Sequence, residues 1–267
     1  MYCELPDGLK IFYTDFGNKA GKPVIFINGL SQTTAAWTQL ASHLKQEFRI
    51  ILVDLIFQGK ADKACLRRTI SEHANDVIYL MDQLEIDKIN VVGISHGSII
   101  AQNIMINHIH RVDKAVLLSS FIKTTARYRE IVRLFQQSID QGGLKQMMDV
   151  LYPLALGPLF FEAPPMPIDK FKELGMKYNE PMAIINLMAA LMEEGDNSEK
   201  LKNIQIPTLV VHGEHDYLIL SEMGEYLAQC LPNSTFELIE GVGHTLNLEA
   251  IPQLTTLLTD FLSVMSG

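Results

Sequence analysis

The segment Gly93-Ile94-Ser95-His96-Gly97 joins a short apolar run, residues 88–93, to a stretch with apolar residues at Ile99, Ile100, Ala101, Ile104 and Met105. A serine flanked two residues away by glycines, between a strand and a helix, suits a nucleophile carried on a sharp turn. Such a turn strains and crowds the backbone, so the positions two before and two after the serine must lack side chains. The helix start would also set backbone N–H dipoles beside a developing anion. Read as structure only, the same five residues are a strand-to-helix turn with a capping serine.

A serine hydroxyl is a weak nucleophile at neutral pH and needs a base within hydrogen-bond reach, itself oriented by an acid. Downstream, a strand pattern at residues 208–211 ends in His212-Gly213-Glu214-His215-Asp216, and another at 235–239 ends in Glu240-Gly241-Val242-Gly243-His244. His244 is the candidate base and Asp216 the candidate acid, each just past the carboxyl end of a strand, where open α/β sheets gather their sites. Glu214 remains a rival acid. Asp54 also follows a strand but precedes the serine, and its alternative role is to anchor its own loop. No Asp or Glu occurs between Lys114 and Arg129, which removes an acid after the sixth strand.

These residues need a frame to hold them. Residues 23–28, 49–54, 88–93, 114–120 and 206–213 are continuous apolar runs, the mark of strands buried on both faces. Pro6-Asp7-Gly8 reads as a hairpin turn. Thr69 and Glu72 form a possible capping box before a helix with Ala74, Val77, Ile78, Met81 and Leu84 at helical spacing, and Leu254, Leu257, Leu258 and Phe261 repeat that stripe. Strand–helix alternation predicts a mostly parallel sheet with helices on both faces. The rhythm breaks over residues 121–203, where helical patterns (128–139, 143–151, 169–178, 181–194) surround a proline-rich turn at 163–167. This predicts a core of residues 1–120 and 204–267 interrupted by a helical lid at 121–203.

The order Ser, Asp, His on that alternation resembles the α/β-hydrolase fold family over essentially the whole chain. The resemblance implies a triad of Ser95, Asp216 and His244, and an oxyanion hole from the backbone N–H groups of His96 and Leu30. It further implies that Asn28 and Gly29 lie at the substrate. Many family members have His-Gly where this chain has Asn28-Gly29, and a serine or threonine after the glycine where this chain has Gly59-Lys60-Ala61. The stretches Asn28-Gly29, Thr33-Thr34-Ala35, Asp54-x-x-Phe57-x-Gly59-Lys60, and Gly241-x-Gly243-His244 with Leu246-x-x-Glu249 are similar to bacterial 3-hydroxyacyl transferases. Those enzymes move hydroxyacyl chains from acyl carrier protein to coenzyme A or another hydroxyacid.

The expected function is a serine hydrolase that cleaves a carboxylic ester or acyl thioester with an apolar acyl group through an acyl-enzyme on Ser95. The alternatives are an acyltransferase that moves a (3-hydroxy)acyl chain from acyl carrier protein or coenzyme A to another acceptor, and a non-catalytic binding protein on the same frame. The methionines at 147, 148, 166, 176, 182, 188 and 192, beside Phe135, Phe160, Phe161 and Phe171, suit a pocket for a flexible chain, with Phe160, Phe161 and Met188 as expected contacts. Lys123, Arg127, Arg129 and Arg133 read as a solvated helix face, or as a site for the phosphates of coenzyme A or for an acidic carrier protein.

Other classes are disfavoured. A net charge of −9 over 267 residues argues against nucleic acid or an anionic membrane as partner. Cys3, Cys65 and Cys230 form no paired pattern, so no disulfide framework or zinc site is expected. His108-x-His110 and His212-x-x-His215 have metal-like spacing without the usual company and read as surface histidines. No phosphate loop is present, and no cofactor is expected. With no signal-like start and no long apolar run, the expectation is a soluble cytoplasmic protein.

Overall fold

The computed structural model describes residues 1–64 and 66–264, so Cys65 lies outside the described residues. The strands are β1 (Tyr2–Glu4), β2 (Lys10–Gly17), β3 (Pro23–Ile27), β4 (Arg49–Asp54), β5 (Ile89–Ile94), β6 (Val112–Leu118), β7 (Thr208–Gly213) and β8 (Ser234–Ile239). They form one sheet in the order β1-β2-β4-β3-β5-β6-β7-β8. β1 and β2 pair antiparallel, as does β2 with β4, and every pair from β3 to β8 is parallel. The central strand β5 is buried at all six positions, whereas the edge strand β8 keeps one or the other face in water. That contrast is why the inner strands read as continuous apolar runs.

Alternate side chains of each strand feed two cores. Ile25, Ile27, Ile51 and Val53 face one side of the sheet, and Val24, Phe26, Ile50 and Leu52 the other. The second face is covered by α1 (Thr38–Leu44) and the C-terminal helix, through Leu40, Leu44, Leu254, Leu258 and Leu262. The first is covered by α2 (Ile70–Gln83) and α3 (His96–Asn107). Thr69 and Glu72 make the expected capping box at the start of α2: the Thr69 hydroxyl accepts from Glu72 N–H, and the Glu72 carboxylate accepts from Thr69 N–H.

Between β6 and β7 the chain is helical: α4 (Ala126–Ala155), α5 (Pro158–Glu162), α6 (Ile168–Met176), α7 (Pro181–Glu193) and α8 (Ser198–Leu201). α4 is two helices joined at a kink, where Gly142 and Gly143 leave helical geometry and Gly143 takes φ +69°. A left-handed residue of this kind ends a helix at little cost only when it is glycine. The sequence therefore marks the joint correctly, while the short α5 carries too few residues to show a period. After β7 come α9 (Ser221–Cys230), α10 (Leu246–Glu249) and α11 (Ile251–Ser263). Lys114 is buried on β6, and its ammonium donates to the carbonyls of Phe261 (2.6 Å) and Val264 (2.7 Å), pinning the end of α11. No described helix is long and apolar enough to cross a membrane.

Candidate active site

Ser95 sits between β5 and α3 with φ +52° and ψ −117°, a conformation L residues rarely adopt. The glycines around it answer to crowding. A Cβ on Gly93 would strike the Gly97 carbonyl, and one on Gly97 would strike the carbonyls of Ile27 and Asn28. The Ser95 N–H donates to the Leu118 carbonyl at the end of β6 (2.9 Å), which fixes the turn against the neighbouring strand. The Ser95 hydroxyl caps nothing in the helix.

His244 follows β8, and Asp216 follows β7. His244 Nδ1 lies 2.7 Å from Asp216 Oδ2, while Asp216 Oδ1 accepts from the N–H groups of Leu218 (3.0 Å) and Ile219 (2.8 Å). With its side chain fully buried, the carboxylate is held by three donors. The His244 backbone is also clamped: its N–H donates to Ala155 O (2.6 Å), and its carbonyl accepts from the Ser119 hydroxyl (2.7 Å). Glu249 reinforces the loop, accepting from Gly243 N–H (3.1 Å), Thr245 N–H (3.1 Å) and Gly157 N–H (2.7 Å).

The rival carboxylates are engaged elsewhere. Glu214 accepts from Gly241 N–H (2.9 Å) and faces His215, not His244. Asp54 is buried and accepts from Thr34 N–H (2.6 Å), Asn28 Nδ2 (3.0 Å) and Lys60 N–H (3.0 Å). A second imidazole, His212, lies behind Asp216, with Nδ1 4.0 Å from Oδ2 and Nε2 2.9 Å from the Ser120 backbone. Burial holds its pKa down against the Asp216 charge.

Ser95 and His244 line one cavity of ≈260 Å³. Gly29 and Leu30 are in its wall, from the loop after β3. The Gly29 carbonyl accepts from Gln58 Nε2 at 3.0 Å. In a planar trans peptide the C=O and the following N–H point in opposite directions, so this bond turns Leu30 N–H away from Gln58. His96 N–H is at the first position of α3, where an N–H has no partner inside its own helix.

Several expected contacts stand elsewhere. Asn28 is fully buried behind the loop, donating to Val53 O (2.8 Å) and Asp54 and accepting from Trp37 Nε1 (2.9 Å), so it braces the loop and does not line the cavity. Phe160 is buried against Phe171, and it is Phe171 that reaches the wall. Phe161 is 43% exposed on the outside of α5. Met188 is buried where the nearly all-apolar α7 packs on α3 and α4. Of the seven methionines, Met166 lines the cavity. Phe135 of α4 stands in the wall as expected, and the wall that sequence reading missed is Tyr128, Leu151 and Tyr152 of α4, Leu174 of α6, and Leu218 and Leu248. The spacing of α4 could have marked its apolar face, but not which helix lies over Ser95.

The basic run does not converge on a ligand. Lys123 pairs with Asp196, Arg127 donates to the carbonyls of Tyr217 and Leu218, Arg129 donates to Thr124, and Arg133 pairs with Glu130. Nor do the spaced histidines gather: His108 meets Asn75 at 3.0 Å, and His212 is fully buried, not on the surface. Among the described residues, no group of three His, Cys, Asp or Glu side chains could hold a metal ion.

The His96 ring faces away from the cavity, stacked edge-on at 6.0 Å from the fully buried His73. Among the described residues, no ring nitrogen of either has a hydrogen-bond partner. Burial pushes the His96 pKa down to about 4 and that of His73 well below its ordinary value. Around them stand Phe57 and the Arg68–Asp76 ion pair, with Asp76 Oδ2 3.9 Å from His73 Nδ1. Above pH 6.5 both folded and unfolded states hold these rings neutral. As the pH falls from 6.5 to about 4, the unfolded chain takes up a proton that the folded His96 refuses, so stability is lost over that window. His96→Gln is expected to flatten the decline in urea-unfolding free energy between pH 7 and pH 4 by about 3 kcal/mol. Parallel slopes for the two proteins would contradict this.

The family model described as alpha/beta hydrolase fold matches residues 22–251. The chain belongs to that family. This α/β-hydrolase is 25% identical to the 3-oxoadipate enol-lactonase 2 of Acinetobacter baylyi, across 89% of this chain and 87% of that protein. It is 28% identical to a non-heme chloroperoxidase of Kitasatospora aureofaciens, across 91% of each. Its fold is that of an alpha/beta hydrolase enzyme from a Medee basin deep-sea metagenome library (TM-score 0.93, 22% identity, 100% of this chain and 98% of that one). A thermophilic esterase from Thermogutta terrifontis also shares it (TM-score 0.89, 22% identity, 98% and 97% covered).

Proposed function

We propose that this α/β-hydrolase cleaves a carboxylic ester or acyl thioester through an acyl-enzyme on Ser95. The observation that carries the reading is the buried Asp216–His244 hydrogen bond, with His244 and Ser95 opening onto the same cavity. The Asp216 carboxylate keeps the proton on Nδ1 and leaves Nε2 free to accept one. His244 takes the Ser95 proton as the hydroxyl attacks the carbonyl carbon. The N–H groups of Leu30 and His96 hold the oxyanion, with the Gly29 carbonyl tied back by Gln58. The imidazolium then protonates the leaving alcohol or thiol, and a water activated by the same ring releases the acid. Water is the favoured acceptor, because the four basic side chains that would meet coenzyme A phosphates are engaged within the chain.

A fluorophosphonate probe is expected to label the wild-type protein and not Ser95→Ala. A panel of acyl-chain lengths as simple esters, coenzyme A thioesters and carrier-protein thioesters, run with and without coenzyme A or a hydroxyacid, then reads out leaving group and acceptor. An unlabelled wild type would end the reading. New ester or thioester products in place of free acid would replace hydrolase by transferase.

A further inference from the structure

Two tyrosines of the cavity wall have no use in the mechanism above. Tyr128, in the first turn of α4, and Tyr152, near its end, both line the cavity with Ser95 and His244. Their rings are fixed by aromatic neighbours: Tyr128 packs on Phe121 at 5.3 Å, and Tyr152 on Phe171 at 5.5 Å. The Tyr152 oxygen lies against Gly175 of α6, where an added Cβ would sit 2.8 Å from it. Yet neither phenol hydroxyl has a hydrogen-bond partner among the described residues. Buried tyrosines ordinarily find one. Two that do not, in the wall of one cavity, leave the partner to be supplied by what the cavity binds.

The rest of the wall narrows the chemistry. Among the described residues no Asp, Glu, Lys or Arg lines the cavity, and the other polar side chains there are Ser31, Gln32, Thr33 and Thr245. A carboxylate brought here would lose its hydration with no cation to replace it. A plain alkyl chain would cover the two hydroxyls and leave them unpaired, at a cost of about tenfold in affinity for each orphaned donor. A neutral carbonyl, hydroxyl or ether oxygen would satisfy them. Both phenols are donors at neutral pH: burial pushes the Tyr152 pKa up to about 12, and burial with the Asp216 charge raises that of Tyr128.

We propose that Tyr128 and Tyr152 determine specificity, and that the substrate is an uncharged ester or lactone whose apolar acyl part carries a neutral oxygen acceptor. This rests on Ser95 being the nucleophile.

The test compares methyl hexanoate with its 3-, 4- and 5-oxo derivatives and with monomethyl adipate, on wild type, Tyr128→Phe and Tyr152→Phe. Phenylalanine removes the hydroxyl and keeps the ring. At least one oxo ester is expected to exceed methyl hexanoate by about tenfold in kcat/KM, and the adipate to fall below both. At least one Phe variant should bring the oxo-to-plain ratio to near 1 while melting like the wild type. A wild-type ratio near 1, a ratio that survives both substitutions, or preference for the adipate would overturn the proposal. So would turnover of none of the oxo esters by a protein whose Ser95 a fluorophosphonate labels. If Ser95 does not label, it is the catalytic reading that has failed.

Discussion

Ser95→Ala is expected to lower kcat by about 10⁴- to 10⁶-fold while leaving the urea midpoint unchanged. The rate loss follows from covalent catalysis: without the hydroxyl, no acyl-enzyme forms, and what remains is binding and oxyanion stabilisation. Stability should hold for a separate reason. The strain at φ +52° belongs to the backbone and its fixed neighbours, and alanine carries the same Cβ as serine. The hydroxyl caps no helical N–H, so its removal orphans nothing there. Single-turnover kinetics with an ester substrate, beside urea unfolding of the same preparation, checks both halves. Turnover within tenfold of wild type would show that Ser95 is not the nucleophile.

Asp216→Asn is expected to cost about 10⁴ in kcat with little change in geometry. Two backbone donors, Leu218 N–H and Ile219 N–H, point at one oxygen of this side chain. An asparagine must keep its carbonyl oxygen there, because its NH₂ cannot accept. The NH₂ is then left facing His244 Nδ1 at the place where Oδ2 stood, 2.7 Å away. Nδ1 has to accept, the ring proton moves to Nε2, and the nitrogen turned to the serine can no longer take its proton. The ¹⁵N shifts of His244 report the tautomer directly: wild type should show the proton on Nδ1 and the variant on Nε2. An unaltered tautomer with an unaltered rate would remove Asp216 from the mechanism.

Strands and glycines were legible in the sequence because their causes are local. A strand buried on both faces is mostly apolar, so β4 and β5 stand out as runs with no partner known, even with Asn90 inside β5 and Asp54 at the end of β4. Gly93 and Gly97 are required by a turn that brings the Gly97 carbonyl against Gly93 and the carbonyls of Ile27 and Asn28 against Gly97. The α2 capping box is likewise an exchange between residues three apart. The short α5 and the continuity of α4 across its kink were not legible, since five residues show no period and a glycine pair marks a break without telling how the halves meet.

Ser95, Asp216 and His244 were singled out because each follows a strand, and parallel strands deliver their ends to one edge of a sheet. The walls over that edge had no such rule. Phe160 and Phe171 are equally apolar, and only the fold of α5 and α6 onto α4 puts Phe171 in the wall and Phe160 behind it. Asn28 stands beside Gly29 in sequence, yet Val53, Asp54 and Trp37 claim both polar atoms of its side chain. The sequence by itself thus determined the sheet, the turn that carries Ser95, and the order of the residues that follow it. Tertiary structure alone decided that Asp216 and not Glu214 meets His244, and that Tyr128 and Tyr152 stand in the cavity wall. The reason is physical. Strand burial and tight turns are enforced by neighbours along the chain, whereas the lining of a cavity is set by side chains more than a hundred residues apart, whose contacts no local period records.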